Sequence, residues 1–483
     1  MSFSRILPRL TGTLAICGII GPAPGAAQAP GSASPSYDTQ IVSQFQTATR
    51  PDIAPRDASA RQTWAEVLAF DAAIYGTASV LQYRQMYAQA IDKTSADYTG
   101  FNVFRHERAL AGPGYRPFKT PNADTLYSNA WLDLSRGPVL LDVPATGSRY
   151  FTLNFLDAYG NATNISTRTH GNGGGRFLIA PANWTGEIPP GTELFRVATP
   201  YMWILMRVLV GDRDDIRRAN RLQDRFKLTS PSNSAAAIYP NPSADTAMSF
   251  FRALDFVLRA NGHPRNEDAL VGRFASIGIA SSNSFDAVTA DPAIRAGVEA
   301  GYLKARHVIE QSVAQGGENS NGWRHQSDLG RFGTSYLLRA AINTLGTGAN
   351  VSDENYPFTT FVDGSGAVLD GSKANYRLLV APLPPARFFW SVTVYDARTR
   401  ELSPNPIGRY VIGDRSPGLI RTSGGGIPIF FSSAPPKGNE RANWLPVPTG
   451  PFYVTLRVQG PIPARLEDAW KPNAILGLDR TGR

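Results

Sequence analysis

The chain has 483 residues, 42% of them hydrophobic, a formal charge of +9 and one cysteine, Cys17. That length supports two or three domains with sizeable cores, and past Cys17 there is no disulfide, no cysteine nucleophile and no thiolate metal ligand. Arginine supplies most of the charge at scattered positions, which reads as a solvated surface; no basic stripe with interleaved aromatics points to nucleic acid as a partner.

Residues 1–29 have the layout of a secretory signal peptide: Arg5 and Arg9, a short apolar core "LTGTLAICGII", then small residues in "GPAPGAAQA". The core is too short to span a bilayer, and no later stretch reaches the roughly 20 apolar residues a spanning helix needs. The expectation is an exported, periplasmic or secreted protein. Residues 30–57, opening on "PGSASPSYDTQ", read as a flexible Pro/Ser-rich leader.

Apolar residues then recur every three or four positions between about Ala58 and Asp92, predicting one long amphipathic helix or two with a break at Gly76. From Thr125 the period becomes two. "TLYSNAWLDL", "PVLLDV", "RYFTLNFLDA", "RFLIA", "ELFRVA" and "MWILMRVLV" are short and rich in β-branched or aromatic residues, with Gly, Pro and Asn between them. Residues 58–228 are therefore predicted to pair the N-terminal helices with a first β-rich domain.

Residues 229–345 read as helical. One helix is expected to be capped by Ser243 and to stop at Gly262, and another to begin at Asp291–Pro292. Residues 346–483 return to strands in "YRLLVA", "FFWSVTVYDA", "RYVIG", "IPIFFSS" and "FYVTLRVQG". The predicted class is α+β: two β-rich sandwich domains joined and flanked by helices. No repeat between the two blocks is visible in the periodicity.

Familiar catalytic motifs are missing. Ser365 in "DGSGAV" lacks the pattern of a nucleophile elbow and reads as a turn, and "GNGGG" and "SGGGIP" lack the lysine and strand-to-helix setting of phosphate loops. The five histidines show no ligand spacing and "DAYGNATN" carries too little charge for a calcium loop, so neither a metal nor another cofactor is predicted. His106, Asp124, Asp133 and Asp157 remain as acid/base candidates.

"TPNADTLYSNAWLDLSRGPVLLDVPATGSRYFTLNFLDAYGN" resembles the family called domain of unknown function 1254. "YRLLVAPLPPARFFWSVTVYDARTRELSPNPIGRYVIGDR", with "NWLPVPTGPFYVTLRVQGP", resembles domain of unknown function 1214. The resemblance implies two jelly-roll-like β domains joined by helices. Hydrolysis of ester-like or amphiphilic compounds is its only hint of activity.

Along the strand Thr125–Asp133, Leu126, Ser128, Ala130 and Leu132 share one face, while Tyr127, Asn129, Trp131 and Asp133 form a polar, aromatic face suited to a cavity. The expected site is a hydrolytic one in the first β domain, acting on a small or amphiphilic organic substrate such as an ester or sulfate ester, with Asp124, His106 and Asp157 as catalytic candidates. Asn122, Tyr127, Trp131, Arg149, Tyr150, Trp390 and Arg409 are the candidates for substrate binding; each arginine has an equal alternative as a structural ion pair. A second reading is a binding or envelope protein using Trp131, Trp203, Trp390 and Trp444 as platforms for a carbohydrate or apolar ligand. A third treats the motif residues as scaffold and puts the working surface at a homo-oligomer interface.

Overall fold

The computed structural model describes residues 54–115, 117–212, 214–230, 237–313, 315, 317–466 and 470–478. The expected signal segment and most of the leader lie outside the described residues. No helix among the described residues is long and apolar enough to cross a membrane.

Helix α1 (Ala58–Met86) is capped by Asp57, whose side chain accepts from the Ala60 N–H. Gly76 does not break it. A β-carbon there would stand 2.6 Å from Leu254, so this glycine marks a close approach to a neighbouring helix. A single π turn, Tyr87–Ile91, follows.

Next come β1 (Arg105–His106), β2 (Thr125–Asp133), β3 (Val139–Val143), β4 (Phe151–Leu156), β5 (Ala162–Ser166), β6 (Gly175–Pro181), β7 (Glu193–Val197) and β8 (Tyr201–Leu209). The six strands expected in this block are all present. β5 occupies part of the stretch read as a turn, where Asn164 finds a cross-strand partner in Thr152 at 2.9 Å. Helix α2 (Ile216–Gln223) leads to β9 (Lys227–Thr229).

The middle holds α3 (Ala247–Asn261), α4 (Asp268–Phe274), α5 (Pro292–Ser312) and α6 (Tyr336–Leu345). Thr246, not Ser243, caps α3 by accepting from the Ser249 N–H, while Ser243 bonds Asn241 instead. Asp291 and Pro292 start α5 as predicted. Between α5 and α6, in a stretch read as helical, lie β10 (Glu318–Ser320) and β11 (Trp323–His325). They are followed by β12 (Asn355–Thr360), β13 (Asn375–Val380), β14 (Ala386–Asp396), β15 (Val411–Gly413), β16 (Ile427–Ser432), β17 (Trp444–Pro446), β18 (Phe452–Pro461) and β19 (Leu476–Leu478).

The strands form two sandwiches. The N-terminal one stacks the sheet β1-β2-β8-β4-β5 on β7-β6-β3-β9, and the C-terminal one stacks β10-β11-β12-β18-β14-β15 on β17-β16-β13-β19. Counted from β2 and from β12, the two strand orders are identical, down to the single parallel pair, β6 with β7 and β16 with β17. One strand scheme is thus used twice in the chain. Its faint echo in sequence is a Val-x-Thr and an Arg-Val at the same spacing, Val197 with Arg207 and Val447 with Arg457.

Each sandwich closes on its own apolar core. Leu126, Ala130, Phe151, Leu153, Ile204 and Met206 face the N-terminal core, and Phe358, Val392, Val454 and Leu456 the C-terminal one. Alternation therefore puts the remaining residues of both large sheets on outer faces, and those faces are polar. Across the first sheet they run in the row Tyr127–Arg207–Thr152–Ser166; across the other, Pro357–Arg457–Ser391 and Thr359–Thr455–Thr393. One end of the first outer face is covered by α1, beneath which Trp131 and Trp203 stack at 5.3 Å. The other end meets the C-terminal sandwich.

Candidate functional site

The segment Thr120–Asp124 leads into β2 and is held by the opposite sandwich. The Tyr395 hydroxyl donates to the Pro121 carbonyl at 2.6 Å, and Arg457 Nη2 donates to the Thr120 carbonyl at 3.0 Å. Thr120 Oγ1 lies 2.8 Å from the Tyr453 hydroxyl, and the Asn122 N–H donates to the Tyr127 hydroxyl at 2.7 Å. Nearby, Glu354 at the head of β12 is fully buried and accepts from the Tyr150 hydroxyl, Ser166 Oγ and Arg168 Nε, each at 2.8 Å. These bonds fix the two sandwiches to each other.

Between them lies a cavity of about 140 Å³. Its polar wall includes Asn122, Tyr127, Arg207, Asn350, Asn355 and Arg457; Phe118, Leu329, Ile342, Leu345 and Phe361 line an apolar part. The loop Gly346–Asn350 after α6 forms a further side. A cavity of this size in an engineered apolar site holds benzene, so the space suits an organic group of about one aromatic ring.

Arg207 and Arg457 occupy equivalent positions in the repeated scheme, and both face this cavity. Arg457 donates to Tyr395 and Thr120. Arg207 Nη2 donates to the Gly348 carbonyl at 2.9 Å and the guanidinium lies over the Tyr127 ring, but Arg207 Nη1 is buried with no hydrogen-bond partner. Asp124 is a carboxyl group within electrostatic reach of both arginines. Burial raises its pKa above the ordinary range, against the lowering effects of Ser391, Arg457 and Arg207. Ser391 is close enough to influence that carboxyl, yet neither Asp124 Oδ1 nor Ser391 Oγ completes a hydrogen bond of good geometry. Two buried cations thus stand near a carboxyl group whose charge is disfavoured, a situation an anionic ligand would relieve.

Of the candidates read from sequence, Asn122 and Tyr127 line this cavity; Asp124 does not line it, but lies within electrostatic reach of Arg207 and Arg457. His106 does not line it either. Its Nδ1 is 2.7 Å from Ser128 Oγ, on the core side of β2, and burial together with Arg108 lowers its pKa to about 4. Asp157 is also elsewhere: it closes its own turn, accepting from the Tyr159 and Asn161 N–H groups at 2.8 and 2.9 Å. Asp133 likewise accepts from Ser135.

Arg149 makes the structural pair, bidentate to Asp215 at 2.5 and 2.7 Å, which drives the Asp215 carboxyl far below its ordinary value. Arg409 donates to the Ala442 and Trp444 carbonyls. Trp131 donates to Gln89 beneath α1, Trp390 sits in the C-terminal core, and Tyr150 serves the Glu354 junction. Trp203 and Trp444 are enclosed as well, so none of these four tryptophans is a surface platform.

Arg207, Asn350, Asn355 and the loop Gly346–Asn350 are not among the site residues expected from sequence, and Arg457 stands there only inside the quoted motif "FYVTLRVQG". One signal was available. Each arginine interrupts a strand that is otherwise almost continuously apolar, "MWILMRVLV" and "FYVTLRV", and a charge buried there needs a partner.

Fold and site define a two-sandwich protein with a cavity shared between the halves. Residues 101–230 match the family model described as Protein of unknown function (DUF1254), and residues 354–463 that described as Protein of unknown function (DUF1214). The chain belongs to the family that pairs these two domains, and each match falls on one sandwich. The crystal structure of a Vibrio parahaemolyticus protein is similar at 23% identity with a TM-score of 0.65, covering 86% of this chain and all of that one. That likeness concerns the fold. A Burkholderia cenocepacia protein of solved structure aligns at 12% identity with a TM-score of 0.43, over 91% of this chain and 95% of its own. No curated protein matches.

Proposed function

We propose that the protein, exported by its N-terminal signal, binds a small amphiphilic organic anion in the cavity between the sandwiches. The acidic group would sit between Arg207 and Arg457, and the apolar body against Leu329, Ile342 and Leu345. The observation that carries this reading is Arg207 Nη1, a buried cationic donor with no partner at the edge of an available space. Leaving such a group unmatched costs roughly 1–3 kcal/mol or more, and a carboxylate, phosphate or sulfate oxygen satisfies it with a charge-assisted bond.

The test is a thermal-shift titration of the full chain with benzoate, phenyl phosphate and phenyl sulfate, beside an Arg207→Met variant. Wild type should be stabilised in proportion to the logarithm of ligand concentration above Kd, and the variant should not. Equal shifts in both, or no shift with any of the three, would refute the reading.

Hydrolysis of an ester of the same shape is the second reading, favoured by Asp124. Its enclosed, unpartnered Oδ1 and raised pKa suit a general base that takes a proton from water beside two cations able to stabilise developing negative charge. Turnover of p-nitrophenyl esters by wild type, lost in Asp124→Asn, would support it. Identical rates in both proteins would remove it.

A further inference from the structure

We infer that the head group taken by this cavity is a tetrahedral oxyanion, a phosphate or sulfate ester, rather than a carboxylate. This rests on the anion-binding reading above and adds the loop Gly346–Asn350. The Gly348 carbonyl accepts from Arg207 Nη2 at 2.9 Å, and the Ala349 carbonyl accepts from Asn154 Nδ2 at 3.1 Å. Both carbonyls are thereby turned toward the N-terminal sandwich. In a planar trans peptide the N–H points opposite to the C=O, so the Ala349 and Asn350 N–H groups are turned the other way, away from the two donors on the N-terminal sandwich.

The N–H groups of Thr347, Gly348, Ala349 and Asn350 make no hydrogen bond with any described residue. Gly348 has φ +82°, and a β-carbon there would stand 2.7 Å from Leu205, so only glycine lets the chain pass this close to the sheet. Successive free amides around such a residue make an anion-binding concavity.

Asn350 supplies an independent observation. Its side chain is 3% exposed, and its Oδ1 accepts from Asn164 Nδ2 at 2.7 Å and from the Val351 N–H at 3.1 Å. Those two donors fix which end is oxygen, leaving Nδ2 enclosed with no partner. Unpartnered donors therefore come from Arg207 on one side and from Asn350 on another, with the loop amides beside them. A carboxylate presents two coplanar oxygens, which one arginine fork can satisfy, whereas an ester phosphate or sulfate presents three oxygens in three directions.

Isothermal titration of the full chain with phenyl phosphate, phenyl sulfate and benzoate tests this. At least one of the two esters should bind about tenfold or more tightly than benzoate, and which one does identifies the head group. Asn350→Asp keeps the Oδ1 contacts but puts an oxygen where the amide donor stands. It should weaken the preferred ester about tenfold or more and benzoate much less, with far-UV circular dichroism unchanged. The wild-type ratio stands as a test whether or not the variant folds. Benzoate binding as tightly as both esters, or an Asn350→Asp variant that keeps the ester preference, would overturn the inference and leave the anion site standing. Absence of binding by all three would overturn both.

Discussion

The two sandwiches use the same strand scheme, and each places an arginine at the same point on its outer face, yet the two side chains are employed differently. Arg457 is tied to the Tyr395 hydroxyl and the Thr120 carbonyl, so it holds the segment that enters β2. Arg207 is tied through Nη2 to the loop carbonyl of Gly348, and its Nη1 has no partner. The comparison teaches that position in a fold sets where a charge sits, while the neighbours decide whether it holds structure or receives a ligand. One copy has become a clamp and the other a receptor.

Replacing the arginines one at a time should separate these roles most strongly. Arg457→Met should destabilise the chain by about 3–5 kcal/mol in urea denaturation, because it removes a buried hydrogen-bonded cation and leaves its partners unmatched. Arg207→Met removes a cation that is incompletely paired in the unliganded protein, so stability should change by about 1 kcal/mol or less while anion affinity falls about a hundredfold. Equal losses of stability would erase the distinction between clamp and receptor.

A smaller effect belongs to Asp124, which lies near both arginines. Because burial raises its pKa, the folded chain holds a proton that the unfolded chain has released between the two pKa values. Stability is therefore fully present below the unfolded pKa, about 4, and declines as pH rises through the folded one. Asp124→Asn should abolish that decline, read as a widening gap between the two melting curves with rising pH. Parallel curves would mean that the carboxyl is already satisfied.

The smallest effect on the site is expected at His106. Its pKa is lowered to about 4 by burial and by Arg108, so it stabilises the neutral fold above its unfolded value and that contribution is lost as pH falls toward 4. His106→Gln should shift the acid side of the stability curve and leave ligand affinity within about twofold. A large loss of affinity would bring His106 back into the site.

Much of this architecture was legible in the residues, because strand alternation is a local property. The opposing faces of Thr125–Asp133 were readable from period two, and the polar segment that enters the strand pointed to Asn122 and Tyr127, which line the cavity. His106 and Asp157 were misleading for one reason: each is satisfied by a close partner, Ser128 across the strand pair and Asn161 within its own turn, and such pairing leaves no mark in composition. The repeated strand scheme was hidden because a sandwich constrains which positions are apolar far more than which residue fills them. Arg207 and the loop Gly346–Asn350 meet only in three dimensions.

The most direct test of the central claim is a crystal structure of the full chain soaked with phenyl phosphate and, in parallel, with benzoate. The account predicts the head group between the sandwiches, with an anion oxygen within hydrogen-bond distance of Arg207 Nη1 and the ring against Leu329, Ile342 and Leu345. Ligand density confined to the outer surface, with the cavity between Arg207 and Arg457 filled only by water at saturating ligand, would contradict it.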